Sequence, residues 1–145
     1  MSATLLAPAP SASSTPASGT SAKTRWVGLA LTALAVLFLV FDTAMKLVAA
    51  APAVEGGAQL GFAPHHVLTL GLIELACLVL YLVPRTAPLG AVLWTGYFGG
   101  AIATHLRLEN PLFSHTLFPI YVAALVWGGL YLRDARVRAL LHPAR

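Results

Sequence analysis

The residues of this sequence best suited to chemistry are charged side chains set inside long apolar runs. Asp42 and Lys46 are four residues apart, so on a helix they share one face and can form an ion pair. Glu74 lies in the next apolar run, and we expect a Lys46 ammonium held between two carboxylates. Charges inside such runs are costly and are candidates for function. The spacing leaves two interpretations open: a polar pocket for a proton, an ion or a quinone headgroup, or a structural ion pair that joins two helices.

A second group of polar residues comes from the third apolar run. Tyr97, Ala101 and His105 follow one another at intervals of four residues, so one stripe of a helix would present all three. Arg107 closes the same run at its outer end. We therefore predict that Tyr97, His105 and Arg107 join the three charges in one polar pocket. Taken alone, His105 is also typical of an interfacial histidine whose side chain reaches water.

The elements that position these residues follow from the composition. Hydrophobic residues make up 58% of the 145 residues and charged residues only 10%, against about 25% charged residues in a typical soluble protein. So few charges could not cover the surface of a water-soluble fold, and the surplus apolar surface indicates lipid as the solvent. The net charge of +4 does not indicate a nucleic-acid partner, because the basic residues stand at the ends of the apolar runs.

Four apolar runs predict four membrane-spanning helices, at about residues 26–50, 65–83, 88–106 and 112–132. Each run has the length that an α-helix needs to cross about 30 Å of hydrocarbon at about 1.5 Å per residue. The predicted fold is thus all-α, an integral membrane four-helix bundle over residues 26–141, in which residues 51–64 form a Gly- and Pro-rich loop. Residues 1–25, rich in Ala, Ser and Pro, are predicted to be a disordered cytoplasmic tail. A cleaved signal peptide is disfavoured, because the first run is too long for its apolar region.

The distribution of Lys and Arg predicts the orientation of the chain. With the N-terminus inside, the outer segments hold only Arg107. The inner segments hold seven basic residues, which are Lys23, Arg25, Arg85, Arg133, Arg136, Arg138 and Arg145. We therefore expect both termini to be cytoplasmic and the last segment to run along the inner surface. Counting the helical rise from the ends of the runs places Asp42, Lys46 and Glu74 in the outer half of the bilayer.

Small residues predict where helices approach each other closely. The third run contains Gly96, Gly99 and Gly100, and Gly96-x-x-x-Gly100 is the spacing that lets helix backbones pack together in lipid. Gly128 and Gly129 in the fourth run are the predicted counterpart. We interpret all five glycines as helix-packing residues.

Several other kinds of site are not expected. The single cysteine, Cys77, excludes an internal disulfide. All the histidines considered as axial haem ligands fall at or near loops, so a buried pair is not expected. These are His65, His66, His105 and His115. The sequence has no metal-ligand spacing, phosphate-binding loop or nucleophile motif, and we predict neither a metal site nor catalytic residues.

Beyond the individual residues, three stretches resemble the DoxX-like family: residues 81–91, 95–107 and 127–134. The second contains the run Thr-Gly-Tyr-x-Gly-Gly-Ala-x-x-Thr-His-x-Arg, which is long enough to be specific. Including parts of the first two runs, the resemblance covers about residues 26–141. It implies a small bacterial inner-membrane protein with a four-helix bundle. The residues that match the family pattern are Lys46, Glu74, Tyr97, His105 and Arg107.

The resemblance also implies a link to redox chemistry, because the broader group takes its name from a subunit of a terminal quinol oxidase. From it we expect an accessory membrane subunit rather than a stand-alone enzyme, with a quinone as the candidate cofactor. Its partners would be the lipid bilayer and either other membrane subunits or a second copy of the chain. Two alternatives stay open: a small proton-coupled transporter, and a structural or assembly protein whose charges only join helices. Pairing of Glu74 with Lys46 would argue against a free coupling carboxylate.

Overall fold

The computed structural model describes residues 21–141, and this part of the chain is almost entirely helical. Its elements are α1 (Ala22–Leu47), α2 (Ala51–Gln59), α3 (Pro64–Leu82), α4 (Ala87–Arg107), a π-helical turn (Leu112–Thr116), α5 (Phe118–Arg133) and α6 (Ala135–Leu141). The predicted all-α class is confirmed for the described residues. The predicted tail falls mostly on residues 1–20, which lie outside them, and α1 begins at Ala22 rather than at residue 26.

Four of these helices lie side by side. α1 packs against α3 and α5, and α4 packs against the same two helices. Gly28, near the start of α1, lies against Leu132, near the end of α5, so these helices run antiparallel. The connection from α3 to α4 spans only residues 83–86, so α4 returns beside α3. Each of the four helices therefore runs opposite to its neighbours, and their ends meet at two opposite ends of the molecule.

These two ends differ in character. The basic end comprises the start of α1, the α3–α4 turn, the end of α5 and α6. Its described basic residues are Lys23, Arg25, Arg85, Arg133, Arg136 and Arg138. Arg136 joins α6 to the α3–α4 turn, because its guanidinium donates a hydrogen bond to the carbonyl of Pro84 at 2.8 Å. The opposite end, here called the cavity end, comprises the end of α1, α2, the start of α3, the end of α4 and the π-helical turn.

The core lies along the axis between the packed helices, while much of the outer surface is apolar. On α4 the inward face repeats at intervals of three and four residues, as expected for a helix buried on one side. Its apolar members are Ala87, Ala91, Trp94 and Phe98. Many large apolar side chains face outward instead, and Leu37 of α1 is 71% exposed. An outer surface of this kind is suited to contact with lipid.

Three helical segments of the described chain are long and apolar enough to cross a membrane: residues 22–47, 64–82 and 112–133. α4 has 21 residues, which is also enough to cross. It is not among the three segments, and it carries four glycines and two threonines besides the polar His105 and Arg107. The structure supports a multi-pass membrane protein, and the count of four crossings stays a prediction.

Two predicted boundaries at the cavity end are wrong. Residues 51–64, predicted to be a loop, contain α2. Pro52 stands in the first turn of α2, where its missing N–H costs no helical hydrogen bond. The fourth apolar run is not one α-helix over residues 112–132, since α5 begins only at Phe118. Pro119 in the first turn of α5 has no N–H to donate to the preceding turn, and the residues before it form the wider π-helical turn.

Candidate functional site

The charges singled out by their spacing meet where α1 packs against α3. The Lys46 ammonium donates to Oδ2 of Asp42 and to Oε1 of Glu74, each at 2.5 Å. Gly71, one turn before Glu74, permits this approach, because a Cβ atom there would lie only 3.0 Å from Cβ of Lys46. The structure therefore contains the expected ammonium between two carboxylates. No pattern in the sequence predicts this role of Gly71.

Asp42, Lys46 and Glu74, here called the ion cluster, differ in burial. The Glu74 side chain is completely buried, whereas Lys46 and Asp42 keep 18% and 37% of their side-chain surface exposed. Oε2 of Glu74 accepts no hydrogen bond from the described residues, and one ammonium balances only one of two carboxylates. The ion cluster can therefore accept one further proton or hydrogen bond.

Tyr97 adds a polar group from α4. Its ring lies 5.9 Å from Nζ of Lys46, a distance at which an ammonium is attracted to an aromatic ring. Three helices, α1, α3 and α4, thus contribute to one polar group inside the molecule.

A cavity of about 630 Å³ extends from this polar group to the cavity end. Its apolar walls are formed mainly by Phe38, Leu39, Leu60, Phe62, Val67, Leu70, Phe98, Phe118 and Val122. Its polar lining consists of Asp42, Lys46, Gln59, Tyr97, Thr104, His105, Asn110 and His115. A volume within about 300–1,000 Å³ and apolar walls with a few polar groups are typical of small-molecule sites.

The rim of the cavity carries two histidines. The ring centroids of His105, in the last turn of α4, and His115, in the π-helical turn, lie 5.9 Å apart. Nδ2 of Asn110 is 2.9 Å from Nδ1 of His105, and Oγ of Ser114 is 2.8 Å from Nδ1 of His115. His105 is where its position on the helical stripe predicts. Asn110 and His115 also line the cavity, and neither is predicted by the helical stripe that contains His105.

Arg107 does not line the cavity, so the structure does not bring it together with the other residues of the predicted polar pocket. Its Nη2 donates to the carbonyl of Leu60, just after α2, at 3.3 Å. Gly61 follows with a φ of +82°, a conformation that suits glycine. Gly56 and Gly57 of α2 line the cavity, so α2 covers the cavity. The hydrogen bond from Arg107 to Leu60 therefore helps to hold α2 in place.

Two of the five glycines predicted to pack helices lie where α1 crosses α5. A Cβ atom at Gly129 would stand 2.8 Å from the backbone nitrogen of Thr32. Gly28 of α1 faces it, since a Cβ atom there would lie 3.2 Å from the carbonyl oxygen of Gly129. Gly128 makes only ordinary contact, at 3.7 Å from Leu31. The crossing thus depends on Gly28 and Gly129, of which only Gly129 belongs to the predicted set.

The other three glycines, Gly96, Gly99 and Gly100, do not pack against another helix of the described chain. No other part of it comes within 4 Å of a Cβ atom built at any of them. The reason is that the inward face of α4 is centred on Trp94 and Phe98, which point in a different direction around the helix. Their predicted packing role is therefore wrong within one copy of the chain. Gly96 and Gly100 line the cavity instead.

Comparison with known proteins gives one match to a protein-family model. The model, described as the DoxX-like family, matches residues 30–129, which is more than half of the chain. The matched segment contains the ion cluster, Tyr97 and His105. No curated protein and no solved structure matches the chain.

Proposed function

We propose, from the premise that this chain belongs to the DoxX-like family, that it is an accessory inner-membrane subunit of a quinone-linked redox system and that its cavity binds the quinone headgroup. One observation carries the proposal: a space of about 630 Å³ with apolar walls contains the ammonium of Lys46. A ligand with a polar head and an apolar body fits such a site, because each part meets a wall of its own kind.

The donors in the cavity match a quinone headgroup, which is a flat ring with two carbonyl acceptors. An ammonium has three N–H donors, and Lys46 uses two of them for Asp42 and Glu74, which leaves one for a carbonyl. Asn110 and His105 offer further hydrogen-bonding groups at the rim. These residues would bind and orient the headgroup. The bound quinone would supply the exchange of electrons and protons with a partner subunit.

The distribution of charge supports an orientation for the proposed subunit. The basic end holds six described Lys and Arg residues, whereas the cavity end holds Arg107 and, within α1, Lys46. Because basic residues are enriched on the cytoplasmic side of membrane proteins, the basic end and both termini would face the cytoplasm. α4 would then cross as well, which makes four crossings in all, and the cavity would open in the outer half of the bilayer.

Cysteine labelling tests this orientation and the crossing of α4 together. Replacing the only cysteine, Cys77, with alanine gives a background for single cysteines at Arg85, before α4, and at Ser114, after it. In intact spheroplasts we expect a membrane-impermeant maleimide to label Ser114→Cys, and to label Arg85→Cys only after permeabilisation. Labelling of both positions from the same side would exclude a crossing by α4. Labelling of Arg85→Cys in intact spheroplasts, with Ser114→Cys protected, would mean that the topology is the opposite of the one proposed.

Filling the cavity from α4 tests the ligand. A Cβ atom added at Gly100 or at Gly99 would have no other part of the described chain within 4 Å. Only Gly100 lines the cavity, so Gly100→Leu would fill it and Gly99→Leu would not. We expect Gly100→Leu to weaken binding of a short-chain ubiquinone analogue by about tenfold or more, a loss of about 1.4 kcal/mol. Gly99→Leu, the matched control, should bind as the parent does. Isothermal titration of the purified protein in nanodiscs measures both affinities. Equal affinities of the two variants, or no saturable binding by the parent, would count against a quinone in this cavity.

The transporter alternative draws on one feature, the Glu74 Oε2 atom that accepts no hydrogen bond from the described residues. A proton-coupled exporter needs a carboxylate that is free to exchange a proton for a cation. Oε1 of Glu74 is paired with Lys46 at 2.5 Å, and this pairing favours the binding site over the exporter. Proton-driven cation transport in liposomes that is lost in Glu74→Gln would reverse this preference.

A further inference from the structure

A second cavity lies at the basic end, away from the site described above. It is a groove of about 260 Å³ between α4, α5 and α6, here called the α6 groove. Its apolar lining consists of Pro88, Leu89, Val92, Trp127, Val137 and Leu140. Leu89, Val92 and Leu140 are 53%, 55% and 75% exposed, so the groove opens towards the surroundings of the helices and not into the core.

Two arginines belong to the segments beside this groove, and the guanidinium of one of them is held by hydrogen bonds. Arg85 is exposed and lies three residues before Pro88, in the turn that leads into α4. Arg136 directly precedes the groove residue Val137, and its Nη2 donates to the carbonyl of Pro84 at 2.8 Å. This hydrogen bond brings the guanidinium of Arg136 to the same turn that carries Arg85. The turn next to the apolar groove therefore carries Arg85 and is held to the start of α6 by Arg136.

Within the described residues, only one of these two positive charges is neutralised. Asp134 is the acidic residue of the basic end, and it pairs with Arg136 at 3.1 Å. Hydrogen bonds from Arg136 lower the pKa of Asp134 below its ordinary value, so its carboxylate is ionised at neutral pH. Arg85 has no ion-pair partner among residues 21–141. A negative charge from outside the chain would complete this region.

We propose that the α6 groove binds an acyl chain of an anionic phospholipid whose phosphate is held by Arg85 and Arg136. A guanidinium forms charge-assisted, often bidentate hydrogen bonds with a phosphate, and basic pockets beside membrane helices suit anionic headgroups. A soluble anion would leave the apolar groove uncovered, and a lipid without net charge would leave Arg85 unbalanced. The site lies at the opposite end of the molecule from the quinone cavity, and it does not depend on what that cavity binds.

Native mass spectrometry of the purified full-length protein tests the charged half of this site. We expect one phosphatidylglycerol to be retained more tightly than a phosphatidylcholine with the same acyl chains. Arg85→Gln should weaken phosphatidylglycerol binding by about fivefold, the factor expected for one basic residue near an anionic lipid surface, and leave phosphatidylcholine binding unchanged. Arg25→Gln is the matched control, since it removes one charge from the same end on α1, which does not line the groove.

A second pair of variants tests the apolar half. Val92→Trp places a large ring in the groove, whereas Leu93→Trp adds the same ring at the adjacent position, which does not line it. Retention of phosphatidylglycerol should fall in the first variant and persist in the second. Three results would overturn the proposal: equal retention of the two lipids, an equal loss in Arg85→Gln and Arg25→Gln, or displacement of the bound lipid by inorganic phosphate alone.

Discussion

Replacing Lys46 with methionine is expected to lower the free energy of unfolding by about 3–5 kcal/mol, the range for removing one of the two partners of a buried ion pair. The substitution removes the cation that pairs with Glu74, whose side chain has no exposed surface. A carboxylate left there would have neither water nor a counter-charge to stabilise it. Methionine keeps an unbranched, flexible stem of similar length, so the loss reports the charge and not the packing.

The double variant Lys46→Met with Glu74→Leu separates the two contributions. Replacing both members of a buried pair with apolar groups of similar volume is often neutral or stabilising, so the double variant should recover most of the loss. Asp42 would keep 37% of its side-chain surface exposed. Unfolding in mixed micelles, followed by the helical circular dichroism signal, measures each variant. Arg107→Met is the control, because it removes an exposed cation whose partner is a backbone carbonyl.

These variants also decide between the two interpretations that the spacing leaves open. If the folded double variant binds the quinone analogue with the affinity of the parent, the ion cluster only joins α1 to α3. Loss of binding in a stable double variant would make the cluster part of the site. A Lys46→Met variant as stable as the parent would contradict the expected loss, and would mean that Glu74 is neutral or hydrated in the folded protein.

The ion cluster could be predicted because a membrane helix is a nearly straight element with a fixed rise. The interval of four residues places Asp42 and Lys46 on one face, and counting residues from the ends of the runs brings Glu74 to a similar depth. Short connections force neighbouring helices to run antiparallel, which supplies the remaining geometry. Tyr97 and His105 follow from the same periodicity. None of these steps requires knowledge of how side chains pack.

The cover of the cavity could not be predicted in this way. The Pro and Gly content of residues 51–64 indicates a loop, and a helix as short as α2 has little stability of its own. Its contacts with the rest of the protein decide its structure. One of them joins Arg107 to Leu60 across 47 residues of sequence, and no local pattern predicts such a contact. For the same reason, the sequence does not predict that Arg107 contacts the residue after α2 instead of lining the cavity.

The glycines show the limit of a spacing motif in a different way. Gly96 and Gly100 have the spacing that permits close approach of helices, yet the close contact of α4 is made at Gly90. A Cβ atom at Gly90 would lie 2.4 Å from the backbone nitrogen of Tyr81 and 2.6 Å from its Cα atom. A motif indicates that a face can approach another helix. Which face turns inward depends on the larger side chains around it, here Trp94 on the buried side of α4.

Gly90→Ala is therefore expected to destabilise the protein by about 3 kcal/mol or more, at or above the usual range for overpacking. The atoms that the new methyl group would meet belong to the backbone at the end of α3, which cannot rotate away as a side chain can. Gly99→Ala adds the same methyl group to the same helix in open space, and it should stabilise the helix by up to about 1 kcal/mol. Melting temperatures in detergent should thus move in opposite directions. A large loss at Gly99 instead would indicate that this face of α4 is buried against a second copy or a partner subunit. Equal small effects at both positions would mean that α4 does not lie against Tyr81 as the structure has it.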